Sequence, residues 1–247
     1  MPMDRSVEAG RPGLLRGAGA STLVLWATTA IAMAAALYMM FLYAPTEAVQ
    51  GDLQRLFYVH MSTALIGYVG FFVTFLAGAI YLARGSVRWD RLARASAIIG
   101  VVFITIVLIT GCLWGTKVWG ACWTWDPRLT TTLILWFIYV GYLMLRGYVD
   151  DPQARMRLAA IVGIVGFVVV PINYMSVYWW RSLHPQATVL RPEGPGLSSE
   201  MLITLLVTMA AFLLLYVVLL RLQLKLESLI DELGELRFRR LLQESDG

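Results

Sequence analysis

The chain holds two histidines, His60 and His184, and nine tryptophans. Trp114, Trp119, Trp123 and Trp125 crowd into the single run Trp114-Gly115-Thr116-Lys117-Val118-Trp119-Gly120-Ala121-Cys122-Trp123-Thr124-Trp125-Asp126-Pro127-Arg128. Neutral imidazole is a strong ligand, and two imidazoles presented at one level can hold a metal, or the iron of a haem, from opposite faces. Tryptophan offers a wide, flat apolar face and one N–H donor, which suits a planar ligand such as a porphyrin. Gly115 and Gly120 let the backbone come close to it. An aromatic belt at a membrane surface explains one or two tryptophans per helix end, fewer than this run contains. Each feature also has a plainer reading: histidine tolerates the interfacial zone, and tryptophan platforms anchor loops or receive sugars and lipid headgroups. A sugar needs no metal ligand, so the histidine pair separates that reading from haem.

What positions these residues is a set of apolar runs. Hydrophobic residues make up 59% of the 247 and charged residues 15%, with a mean hydropathy of +0.69. Soluble chains carry nearer a quarter charged residues, so a water-solvated surface is excluded. Six runs, residues 23–43, 64–83, 95–114, 129–145, 158–180 and 201–220, each approach the ~17 to 25 residues that cross a hydrocarbon core as a helix. None contains Asp, Glu, Lys, Arg or His. The expected fold is an all-α integral membrane protein, a bundle of six transmembrane helices forming one domain over residues 1–247. The first run is too long for a signal-peptide core and no small-residue cleavage site follows it, so it is expected to be retained. Pro171, inside the fifth run, is expected to kink its helix or loosen one turn.

Basic residues set the expected orientation. Arg5, Arg11 and Arg16 precede the first run; Arg84, Arg88, Arg91 and Arg94 lie between the second and third; Arg146, Arg155 and Arg157 lie between the fourth and fifth; Arg221, Lys225, Arg237, Arg239 and Arg240 follow the sixth. Arg55, Lys117, Arg128, Arg181 and Arg191 lie on the other side. The positive-inside rule therefore predicts both termini in the cytoplasm, with His60, His184 and the tryptophan-rich loop 115–128 outside. The net charge of +4 is then a topology signal, and no nucleic-acid partner is expected. Cys112 and Cys122 fall at or beyond the outer end of the third run. Their spacing permits a disulfide without requiring one, and two free thiols are the expectation. No CxxC or CxxCH is present. The tail 221–247 repeats leucine at helical spacing, which reads as an interfacial amphipathic helix under the membrane or as a docking surface for a cytoplasmic partner.

The run Trp119-Gly120-Ala121-Cys122-Trp123-Thr124-Trp125-Asp126 matches the WGxxWxWD signature of the haem-handling proteins of cytochrome c biogenesis. Tyr58-Val59-His60 and the segment from Ser176 through Tyr178-Trp179-Trp180-Arg181-Ser182-Leu183 to His184 resemble the haem exporter protein C family, also called cytochrome c maturation protein C. The resemblance covers nearly the whole chain, and the six-span length fits that family better than its larger relatives. Cys122 occupies a variable position of the signature that is often aromatic in relatives.

That resemblance implies a non-covalent haem b held by His60 and His184 as axial ligands of one iron, with Trp119, Gly120, Trp123, Trp125 and Asp126 about the porphyrin and Trp114 extending the pattern upstream. Guanidinium pairs well with carboxylate, so Arg55 and Arg128 are candidates to anchor the haem propionates, while Arg181 fits interfacial snorkelling equally well. The family further implies a site on the periplasmic side of a bacterial inner membrane. It implies delivery of haem to the chaperone cytochrome c maturation protein E, with the small protein D and the ATP-binding cassette pair A and B as partners and membrane lipids around the bundle. The sequence has no GxxxxGK[ST] motif, so ATP use falls to a partner, and a scaffold rather than an enzyme is expected. Two rival readings are a transporter, which usually keeps ionisable residues within its spans, and a membrane cytochrome b, which places histidine pairs inside the bundle.

Overall fold

The computed structural model describes residues 19–185 and 196–245. The expectations placed on Arg5, Arg11, Arg16 and Arg191 lie outside the described residues.

The described residues form α1 (Ala20–Tyr38), α2 (Arg55–Arg84), α3 (Val87–Val118), α4 (Pro127–Tyr148), α5 (Pro152–Phe167), α6 (Val169–Trp179) and α7 (Ser199–Ser245). A π-helical turn, Met39–Tyr43, closes α1, and a 3-10 turn, Asp52–Gln54, leads into α2. Six segments are long and apolar enough to cross a membrane, with α5 and α6 together making the fifth. The break between α5 and α6 falls at Val168. Pro171, one turn on, has no N–H to give and crowds the preceding turn, which fulfils the expected loosening.

Local chemistry sets the ends. Asp126 and Asp151 each cap a helix whose first residue is proline, accepting hydrogen bonds from the N–H of Arg128 and of Ala154. Gly85 (φ 67°) takes the left-handed conformation that ends α2 and turns the chain into α3. That turn permits a close α2–α3 pair. A Cβ on Gly70 would sit 3.0 Å from the Cα of Gly100, so the two backbones meet where neither residue has a side chain. Around this contact α2 packs against α3, α5 and α7, while α4 packs against α3, α5 and α6. Phe71 stacks on Tyr139 with ring centroids 3.6 Å apart, and Trp136 donates its indole N–H to Thr105. Outward side chains such as Ile31 and Leu42 are 71% and 75% exposed, the apolar coat that lipid requires.

Two expectations are corrected. The helices outrun the apolar runs: α3 continues to Val118, so Trp114, Gly115 and Lys117 are helical and the irregular loop is 119–126 rather than 115–128. Gly and Lys end an apolar run without ending a helix. The tail does not turn to lie under the membrane as a separate helix, because α7 runs unbroken for 47 residues, about 70 Å at 1.5 Å per residue. At the end of the bundle opposite the tryptophan loop, charges that lie between the apolar runs are built into helix ends. Arg146 of α4 holds both carboxylate oxygens of Asp90 of α3 at 2.7 and 2.5 Å, and Arg94 of α3 pairs with Glu227 of α7 at 2.8 Å.

Candidate ligand-binding site

A further correction concerns sulfur. Cys112 and Cys122 are joined in a disulfide, not free thiols. Helix α3 carries Cys112 on the same side as the returning chain, and Gly120 (φ 74°) supplies the left-handed step just past the helix end that brings Cys122 back to it. The return is tight: a Cβ on Gly115 would lie 3.0 Å from the Ala121 carbonyl oxygen and 3.2 Å from the Trp119 ring. Trp125 then adopts φ 54°, unusual for a bulky residue, immediately before Asp126 begins α4.

Beneath this loop lies a cavity of about 460 Å³, bounded by α2, α3, α4, α6, α7 and the segment after α6. Its size falls within the ~300 to 1,000 Å³ of small-molecule and cofactor sites. Its walls are mostly apolar, including Met61, Ala64, Leu65, Val107, Leu108 and Met209. The polar groups are few: His60 from α2, His184 from the segment after α6, Arg128 from the first turn of α4, Thr132, and the tyrosines Tyr68, Tyr174 and Tyr178. Trp114, Trp123 and the disulfide also face it. The sequence separates the two histidines by half of the chain, and the fold brings both to this one space.

Each histidine is held from behind. His60 Nδ1 lies 2.8 Å from the Thr110 hydroxyl on α3. His184 stands edge to face against Trp119 and Trp114, with ring centroids at 5.3 and 6.4 Å, and Trp114 is fixed in turn by its indole N–H to Gln50 at 3.2 Å. The short segment carrying His184 is tied to α4 by Asp126. One carboxylate oxygen accepts from Ser182 Oγ and from Leu183 N, each at 2.7 Å, while the other accepts from Arg128 N at 2.9 Å. Burial works against the Asp126 carboxylate, but these three donors and the nearby His184 hold it below its usual range, so it stays charged. His184 is pushed down to about 4, by burial first and then by Arg128 and His60, against the pull of Asp126. Its ring is therefore neutral near pH 7, with a lone pair to give, and its Nδ1 is buried with no hydrogen-bond partner among the described residues.

Several expected contacts take other places. Trp119 stands behind His184 rather than on the cavity wall. Trp125 is 73% exposed and meets Trp123 edge-on at 5.6 Å. Asp126 and Gly120 shape the site without lining it. Arg55 is turned away from the cavity. It pairs with Asp52 at 2.9 Å, donates to the Met40 carbonyl that the π turn leaves open and lies over the Phe41 ring. It therefore fastens the start of α2 to the end of α1, and Arg128 is the arginine on the cavity. Residues without a signature in sequence complete the site. Thr110 sits inside an apolar run, and Gln50 lies in a connection. Asn173, fully buried on α6, accepts from Tyr68 at 2.5 Å and donates to the carbonyl of Arg128 and the hydroxyls of Thr131 and Thr132. Nothing in the spacing of these residues marks them.

Residues 9–238 match the protein family described as "Heme exporter protein C". The chain belongs to the haem exporter protein C family. It is 39% identical over 201 residues to the "Heme exporter protein C" of Bradyrhizobium diazoefficiens, covering 79% of this chain and 74% of that one. With the protein of the same description from Haemophilus influenzae it shares 35% over 191 residues, 77% of each chain. A "Putative cytochrome c biosynthesis ccmC-like mitochondrial protein" of Marchantia polymorpha is 32% identical over 190 residues, 77% of this chain and 78% of that one. The family's match spans all six membrane-crossing segments and every residue that lines the cavity.

Proposed function

We propose that this member of the haem exporter protein C family binds haem in the cavity between His60 and His184 and hands it to a haem chaperone during cytochrome c maturation. The observation that carries the reading is that the chain's two histidines face one apolar cavity of about 460 Å³ with an arginine in its wall. Among the described residues no three of His, Cys, Asp or Glu converge, so a bare metal ion would lack a protein ligand set. Two neutral imidazoles instead suit an iron whose other positions a macrocycle already fills. The orphaned Nδ1 of His184 fits the same donor set, since a buried nitrogen without a partner costs about 1 to 3 kcal/mol that a coordinate bond would relieve. Arg128 supplies a guanidinium for a propionate carboxylate, and with no CxxCH the binding is non-covalent.

Bound as cargo, haem brings its own redox-active iron. The chain's part would be to hold it: His60 and His184 would supply imidazoles to the iron, the apolar walls would exclude water, and Trp114 and Trp123 would border the ring. The role is that of a scaffold, with ATP hydrolysis left to a partner of the ATP-binding cassette pair A and B, and with the chaperone, cytochrome c maturation protein E, and the small protein D as further partners. The site is assigned to the periplasmic side of an inner membrane by the distribution of basic residues. The disulfide supports that side, because such bonds persist in oxidising compartments.

The test is a pyridine haemochrome spectrum of protein purified from haem-replete cells. It should report b-type haem, low-spin in the native state. His60→Gly and His184→Gly should each weaken the low-spin spectrum, and added imidazole should restore it by filling the vacant position. Absence of Soret absorption in the parent protein, or an unaltered low-spin spectrum in both variants without imidazole, overturns the reading.

A further inference from the structure

We infer that Thr110 is a positioning residue that fixes the tautomer of His60, holding the proton on Nδ1 and leaving Nε2 as the bare nitrogen offered to the cavity. The inference rests on the haem-binding reading for its purpose, but not for its geometry. A threonine hydroxyl has one proton and two lone pairs. The Thr110 hydroxyl oxygen lies 2.7 Å from the carbonyl oxygen of Ile106 and 3.2 Å from that of Val107. Carbonyl oxygens have no proton to share, so an oxygen pair at 2.7 Å requires that the hydroxyl proton lie between them. This is the ordinary back-bond of a threonine inside a helix. With its proton so committed, the hydroxyl meets His60 Nδ1 at 2.8 Å only as an acceptor. Nδ1 must then carry the hydrogen, and in a neutral ring Nε2 carries none.

The surroundings hold this arrangement in place. Thr110 is 8% exposed, so water does not compete for its lone pair. The next residue, Gly111, has no side chain, and the His60 ring passes over it with Cε1 3.4 Å from where a Cβ would stand. The acceptor for His60 thus comes from α3 while the ligand nitrogen belongs to the cavity between α2 and α4. Metal-binding histidines generally donate their second N–H to a fixed acceptor, which orients the ring and raises its basicity. His184 is held differently: its Nδ1 has no hydrogen-bond partner among the described residues, and tryptophan faces steady its ring. The two histidines are therefore unequal: His60 is pre-set before any ligand arrives, and His184 is selected by binding.

The experiment uses full-length, haem-free protein labelled with 15N-histidine in nanodiscs. With two histidines in the chain, only two imidazoles contribute, and a His184→Ala sample assigns them. Wild type should show His60 with Nδ1 protonated and Nε2 unprotonated. Thr110→Val keeps the shape and removes the acceptor, so the His60 signal should move toward the Nε2-protonated form, while Thr110→Ser should retain the wild-type pattern. In loaded protein Thr110→Val should weaken haem retention by roughly 10- to 100-fold, the usual effect of losing such a partner, with Thr110→Ser near wild type. A wild-type His60 protonated at Nε2, or a Thr110→Val tautomer identical to wild type, overturns the inference. If the tautomer responds as stated but the parent protein takes up no haem, the haem reading fails and the positioning role stands. Should Thr110→Val not fold, the wild-type and Thr110→Ser spectra still decide the tautomer.

Discussion

Asp126 illustrates how a signature residue can act without touching a ligand. Its carboxylate gathers the end of the tryptophan loop, the first turn of α4 with Arg128, and the segment that carries His184. Replacing it with alanine removes a helix cap, worth about 0.5 to 2 kcal/mol, and frees Ser182 and Leu183. We expect Asp126→Ala to release haem about tenfold faster in a transfer assay to apomyoglobin, on the scale of that cap energy, while the haem still bound stays low-spin. Asp126→Asn, which keeps an oxygen acceptor, should fall between. Release at the wild-type rate would remove Asp126 from the site's scaffold. At this scale the sequence revealed residue types but not their partners. His60, His184 and Arg128 were legible because imidazole and guanidinium announce their chemistry. Arg55 shares that chemistry but meets Asp52 and a free carbonyl first, and Thr110 is silent in an apolar run although it touches a ligand candidate. Contacts such as that of Asp126 with Leu183 join residues far apart in sequence, and only tertiary packing creates them.

Among the elements, the helices were read well because lipid leaves the backbone no other economy, and apolar length alone identifies them. Their ends were read less well, since α3 absorbs the first part of the tryptophan run and α7 continues far past its apolar stretch. The disulfide was missed because pairing depends on Gly120 turning the chain back, which spacing does not reveal. Closing a loop of this length restricts the open chain by roughly 2 to 3 kcal/mol in the chain-entropy account. Reducing the bond should therefore loosen 119–126 without unfolding the bundle. Lys117, exposed at the end of α3, gives a direct readout: trypsin should cut after it readily in Cys122→Ser and only slowly in the oxidised parent. Equal cutting in both would mean that packing on Gly115, and not sulfur, holds the loop.

For the molecule as a whole, the basic residues and the disulfide lead to the same orientation by independent chemistry, one through charge and the other through redox compartment. In intact spheroplasts an impermeant maleimide should label neither cysteine until an impermeant phosphine reductant is added, and should then label both. Labelling that appears only after lysis would reverse the proposed topology. The same bond also orders events during biogenesis. A nascent chain whose third and fourth spans have not yet crossed has both cysteines in the reducing cytosol, where the staple does not form. On the proposed topology the tryptophan loop is stapled only after translocation, and a misinserted copy stays without its disulfide.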